Sequence, residues 1–124
     1  MKAEIVSTIL NTYTIGAVIA INYDLHQLVI TYEVSESKIY NIIFEDIVAF
    51  KMLNERDMLG YWKHSTIINT NILKIVADGW LDQEKNKRSI SSQLFDLQEF
   101  LIKGIDDCVC VLSERLPRIE EKYK

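Results

Sequence analysis

Cysteine, proline, glycine and histidine are all scarce in this chain: two, one, four and two residues among 124. Cys108 and Cys110 are spaced C-x-C, and on a strand such residues share a face about 6.5–7 Å apart. A disulfide needs Cβ atoms about 3.8 Å apart, so both are expected to be reduced, buried thiols suited to a cytoplasmic protein. Gly16, Gly60, Gly79 and Gly104 never cluster, which excludes a dinucleotide fingerprint and a P-loop. No G-x-S-x-G elbow is present either. His26 and His64 stand alone, and the cysteines lack zinc-site spacing, so no metal or cofactor is expected. With no repeat and no Pro- or Ser-rich linker, 1–124 is expected to be a single domain. A content of 48% hydrophobic and 26% charged residues excludes disordered and collagen-like chains.

Long apolar runs are missing too. Apart from Gly16, the longest is 15–21, preceded by Asn11, Thr12 and Thr14. It is too short to cross a bilayer and makes a poor signal-peptide core, so it reads as a strand and no membrane contact is expected. Positive charge is also in deficit: 14 Lys and Arg face 18 Asp and Glu, for a net charge of −4. That argues against nucleic acid as a partner, since phosphate binding requires clustered basic residues.

What is present is β-pattern. Segment 15–23 is dominated by branched aliphatics, Asp24-Leu25-His26-Gln27 breaks it, and 28–34 alternates Leu28, Ile30, Tyr32 and Val34 with Val29, Thr31 and Glu33. A four-residue turn sets Tyr23 opposite Leu28 and Ile21 opposite Ile30. A following loop, Ser35-Glu36-Ser37, pairs Tyr32 with Tyr40, Ile30 with Ile42 and Leu28 with Phe44. The register one residue away would turn Asn41 and Glu45 inward, so burial selects the first. At the same period Val48, Phe50 and Met52 continue that face. A run from 40 to 53 exceeds the roughly five or six residues of a usual strand, so a bend is expected at Glu45-Asp46.

Segment 72–77 reads as a strand, with Asp78-Gly79 as a tight turn into Trp80-Leu81. Segment 83–88 is charged and solvated, and 94–103 fits a strand better than a helix. Gly104-Ile105-Asp106-Asp107 is the next turn, leading into a strand at 108–112 that is apolar on both faces, as in a covered central strand. Ile5, Val6, Ile9 and Leu10 suit a helical turn, and Pro117 opens a charged tail with the pattern of a short helix. The expected fold is α+β: a predominantly antiparallel sheet of five or six strands with one or two short helices.

Catalytic candidates are weak. His26 falls in a turn, where a solvated side chain is the ordinary outcome, and His64, which follows Tyr61-Trp62-Lys63, is more often a structural than a catalytic histidine. Glu45-Asp46 and Asp106-Asp107 are adjacent pairs that point to opposite strand faces, so neither is a natural acid/base dyad. No enzyme activity is expected. Trp62 and Trp80 stand out instead, in the turn-prone runs Leu59-Gly60-Tyr61-Trp62 and Asp78-Gly79-Trp80. Large aromatics at loop edges either close over a core or anchor an interface. With Asp57, Asp78, Asp82 and Glu84 nearby, they form a candidate partner-binding patch, an acidic rim that would steer a basic protein.

The run Trp80-Leu81-Asp82-Gln83-Glu84, then Glu99-Phe100-Leu101-Ile102-Lys103-Gly104, then Cys108-Val109-Cys110-Val111-Leu112-Ser113 and Pro117 resembles the closing hairpin of small bacterial immunity proteins from polymorphic-toxin systems. Ile43-Phe44-Glu45-Asp46-Ile47-Val48-Ala49-Phe50, ending in Asn54-Glu55, is similar to that group's central strand. These runs span roughly half of the chain. The resemblance implies a compact, acidic, non-enzymatic cytoplasmic protein that blocks a cognate toxin as a monomer or homodimer. It carries over no binding residue by position. Two other readings remain open on the residues alone: an acidic secretion-chaperone-like dimer, which would expose an apolar groove, and a small-ligand-binding domain, which would hold a pocket with a perturbed carboxylate or histidine.

Overall fold

The structure is a computed structural model that describes residues 2–7, 16–35, 38–54, 71–77, 79–86 and 96–122. Nine strands and one short helix occur among them: β1 (Lys2–Ser7), β2 (Ala17–Tyr23), β3 (Gln27–Ser35), β4 (Lys38–Glu45), β5 (Ile47–Asn54), β6 (Ile72–Ala77), α1 (Trp80–Asn86), β7 (Gln98–Lys103), β8 (Asp107–Ser113) and β9 (Arg118–Lys122). They form two antiparallel sheets, ordered β1-β6-β7-β8-β5 and β2-β3-β4-β9. The architecture is therefore mostly β, in place of the expected α+β arrangement around one sheet of five or six strands.

The expected register is present in full. Tyr23 pairs with Leu28 and Ile21 with Ile30, while Tyr32 pairs with Tyr40, Ile30 with Ile42 and Leu28 with Phe44. Their common face meets Ile72, Phe100, Ile102, Val109 and Val111 of the other sheet in one buried cluster. Across it the Phe44 and Phe100 rings lie 5.4 Å apart and tilted by 50°. Aromatic pairs of this kind add to the burial of their area.

The bend expected at Glu45-Asp46 does more than kink a strand: it carries the chain from one sheet to the other. Asp46 has φ 55°, a left-handed conformation that Asn and Asp tolerate better than other non-glycine residues. Beyond it, β5 pairs with β8. Phe50 still reaches the core, but Val48 and Met52 remain 41% and 46% exposed, because β5 is an edge strand. The return crossing, between β8 and β9, is fastened to the first. Ser113 Oγ lies 3.2 Å from the Glu45 carbonyl and accepts from the Arg115 N–H at 3.1 Å, and Arg118 meets Glu45 at 2.8 Å. We expect Asp46→Val to lower stability by about 1–2 kcal/mol, since a β-branched residue is strained at positive φ, while Asp46→Gly stays near wild type. Urea midpoints of the two variants check this.

Three local expectations are corrected. Ile5 and Val6 lie in β1, paired with β6, and not in a helical turn, because β6 offers an open edge to a branched-aliphatic segment. Ile9 and Leu10 lie outside the described residues. The segment after Pro117 is the edge strand β9 against β4, where only Ile119 packs on the core and the charges suit an edge. Trp80-Leu81, expected to follow a tight turn at Asp78-Gly79, opens a helix, α1, and Asp78 lies outside the described residues. The expected strands at 72–77 and 108–112 are in place, and the one expected at 94–103 is a strand from Gln98 to Lys103, with 96–97 before it and 94–95 outside the described residues. Both cysteines are buried and form no disulfide. No helix among the described residues is long and apolar enough to cross a membrane.

Candidate functional site

The outer face of the five-stranded sheet carries a second apolar layer: Leu73, Ile75, Leu101, Cys108 and Cys110, with Leu81, Leu97 and Leu112 beside them. Trp80 packs against both groups and is only partly buried. Its indole Nε1–H donates to Glu84 at 3.1 Å, one turn along α1, and Lys51 Nζ sits 4.4 Å from the ring centroid. That geometry is a cation–π contact, worth about 0.5–1 kcal/mol at an exposed position.

α1 begins at Gly79, whose carbonyl accepts from Gln83 N–H at 3.2 Å. A glycine here has no side chain with which to satisfy the first helical N–H groups. Glu99, on β7, does so from across the fold: its Oε1 accepts from Leu81 N–H at 2.8 Å. A Cβ on residue 79 would stand 2.6 Å from Glu99 Oε1 and 2.9 Å from Oε2, so only glycine permits this approach. Glu99 is 1% exposed, and its second oxygen, Oε2, has no hydrogen-bond partner. Burial pushes the carboxyl above the usual range. The N–H groups of Leu81 and Trp80 and the charge of Lys51 partly offset this, and Asp82 adds to it.

Glu99 lines an open recess of about 320 Å³ between the end of β6, the start of α1 and the approach to β7. Asp82, Asp96 and Lys74 line it as well, with Ile75, Leu81 and Leu97 as apolar wall. Among the described lining residues it therefore gathers the carboxylates of Glu99, Asp82 and Asp96, while Lys74 alternates with Ile75 along β6 and so projects from the opposite face of the strand. No histidine, serine or cysteine is among its described lining residues. Nor is any group of three His, Cys, Asp or Glu placed to hold a metal ion among the described residues. Two further titratable groups among the described residues are strongly shifted by burial. Burial pushes the Cys110 thiol up to about 12, which removes its nucleophilic form at neutral pH. Burial also pushes Lys103 down to about 8.

Because Glu99 holds its proton more tightly when folded, the folded state binds more protons than the unfolded one above the ordinary carboxylate range. Stability is then fully present at low pH and falls as pH rises through the interval between the two values, by at most about 1.4 kcal/mol per pH unit. Glu99→Gln keeps an oxygen acceptor for Leu81 N–H and has no such titration. Its unfolding free energy is expected to lack this downward slope, which urea titrations at a series of pH values would read.

Of the residues singled out from the sequence, Trp80, Asp82 and Glu84 lie together on α1 beside the recess. Asp57, Trp62 and Asp78 lie outside the described residues, as do Glu55 and His64, and His26 is in an exposed turn. Glu99, Asp96 and Lys51 were not singled out. One signal was available: Glu99 stands between Leu97 and Leu101 on the same strand face, where a charge has to be accounted for.

Comparison with protein families, curated proteins and solved structures finds no match for this chain.

Proposed function

We propose that this chain is a non-enzymatic binding protein, a cytoplasmic immunity protein that neutralises a cognate bacterial toxin through the acidic, aromatic surface around α1. The observation that carries this reading is the recess at the start of α1, where Asp82 and Asp96 flank the buried, unpartnered oxygen of Glu99 and the partly exposed Trp80 lies on the same helix. Aromatic anchors concentrate binding energy, and surrounding carboxylates accelerate association with a basic partner. The net charge of −4 favours the same kind of partner. The likeness of the closing strands, Val109-Cys110-Val111-Leu112-Ser113 and Pro117, to those of immunity proteins supports the toxin as that partner. A perturbed carboxylate in a recess also favours a second reading, a domain that holds a small cationic ligand.

Co-expression with the product of the gene directly upstream separates the two. In the first reading that product arrests growth alone, is silenced by this protein, and co-purifies with it until salt is raised. If it neither co-purifies nor loses toxicity, the immunity reading falls.

A further inference from the structure

We propose that the Glu99 recess receives one guanidinium group, the end of an arginine side chain presented by a protein partner. This deepens the reading above and rests on it for the identity of the carrier, though not for the chemistry of the recess.

One oxygen of the recess is unmatched. Glu99 Oε1 is occupied by Leu81 N–H at 2.8 Å, while Oε2 is buried and has no donor. A buried acceptor left open is unfavourable, and a donor brought by a ligand removes that defect as it binds. The cations already nearby do not supply it. Lys51 is seated on the Trp80 ring, and Lys74 alternates with Ile75 along β6 and so projects from the opposite face of the strand.

The carboxylates of Glu99, Asp82 and Asp96 line one recess but do not converge as a metal site. A compact ion cannot bridge them. A planar group with five N–H donors can, placing one donor on Glu99 Oε2 while others face the rim. Ile75, Leu81 and Leu97 supply apolar wall for the methylene stem, which long cationic side chains bury readily. Arginine suits this site better than lysine because its guanidinium is weakly hydrated and keeps its charge when desolvated. The carboxyl must give up its proton to pair fully. Among the described residues, the charged and titratable groups that face it are Lys51 on β5, Asp82 on α1 and Cys110 on β8, with Asp96 before β7 lining the same recess. Burial holds the carboxyl above its usual range, so binding tightens as pH rises through that raised value.

The test uses the full chain, isotope-labelled, titrated with N-acetyl-L-argininamide and in parallel with its neutral isostere N-acetyl-L-citrullinamide. The expected result is a saturable shift of the Gly79, Leu81 and Glu99 amides with the arginine probe only, stronger at pH 8 than at pH 5. Glu99→Gln, which retains an acceptor for Leu81, should weaken it about tenfold or more. Should that variant fail to fold, Asp96→Asn, at an exposed position, should weaken it about threefold. Equal response to the two probes, shifts that do not saturate or lie elsewhere, or unchanged affinity in the folded variant would overturn the assignment. The probe involves no partner protein, so such a failure is distinct from failure to co-purify with the upstream gene product.

Discussion

Replacing Tyr32 by Phe is expected to destabilise the fold by about 2–4 kcal/mol, with a fall in melting temperature on the order of 10 °C. The ring is fully buried in the inter-sheet cluster, and the variant keeps all of it. What is lost is a hydroxyl with three partners. Tyr32 Oη donates to the Lys103 carbonyl at 2.6 Å, and accepts from Asn71 Nδ2 at 3.0 Å and from Gly16 N–H at 2.9 Å. Those partners come from β7, from the residue before β6 and from the residue before β2, so one atom ties both sheets together at this end. Burial raises the hydroxyl pKa, which keeps the donor protonated. Phe leaves a donor from Asn71, a donor from Gly16 and the Lys103 carbonyl without this partner in a dry site. Gly16 is committed to the same contact: a Cβ there would lie 2.6 Å from the Tyr32 ring and 2.5 Å from the Glu33 carbonyl. Combining Tyr32→Phe with Asn71→Leu should cost less than the sum of the two singly, because both changes remove the same Asn71–Tyr32 bond. A loss below about 1 kcal/mol for Tyr32→Phe would show that the hydroxyl is not the clasp.

Trp80→Ala is expected to lower affinity for the protein partner about 30-fold or more, close to 2 kcal/mol, as truncation of an aromatic anchor does. The indole is partly exposed and held in one orientation by Glu84 and Lys51, so it meets a partner with little rotamer entropy left to lose. It also packs against the two outer-face clusters, one holding Leu101 and Cys110 and the other Leu112, so the variant should lose about 2 kcal/mol of stability. Trp80→Phe separates these effects: it keeps most of the packing, loses the bond to Glu84, and should fall between Ala and wild type in affinity. If Trp80→Ala stays folded and binds unchanged, the patch around α1 is not the interface.

The parts of the fold legible in the sequence are those where period-2 burial leaves one register. Tyr23 to Phe44 is such a stretch: a one-residue slip would have turned Asn41 and Glu45 into the core. The Asp46 bend could be located by strand length, but its consequence could not. Nothing in Ile47 to Asn54 says which strand it pairs with, and β8 lies more than fifty residues on. Edge strands β1 and β9 were misread because an edge needs few apolar residues: β9 offers Ile119 alone to the core. α1 was misread for a different reason. Leu81 N–H in its first turn is satisfied by Glu99, 18 residues away, and Gly79 at its start has no side chain to act as a cap. The same long-range contact explains why the site was half legible. Trp80, Asp82 and Glu84 are neighbours in sequence and on α1, whereas Glu99 and Asp96 join them only when β7 pairs with β6.

Charge reversal across the recess tests the central claim most directly. Asp82→Lys with Asp96→Lys inverts the rim of the proposed contact face, and Asp106→Lys with Glu121→Lys makes the same change in net charge at exposed positions elsewhere. Affinity for the upstream gene product, measured at low and at physiological salt, should collapse in the first double variant, mainly through slower association. In the second it should change little. Equal losses in the two would show that net charge alone governs the encounter, and undiminished binding by the recess variant would show that the partner docks elsewhere.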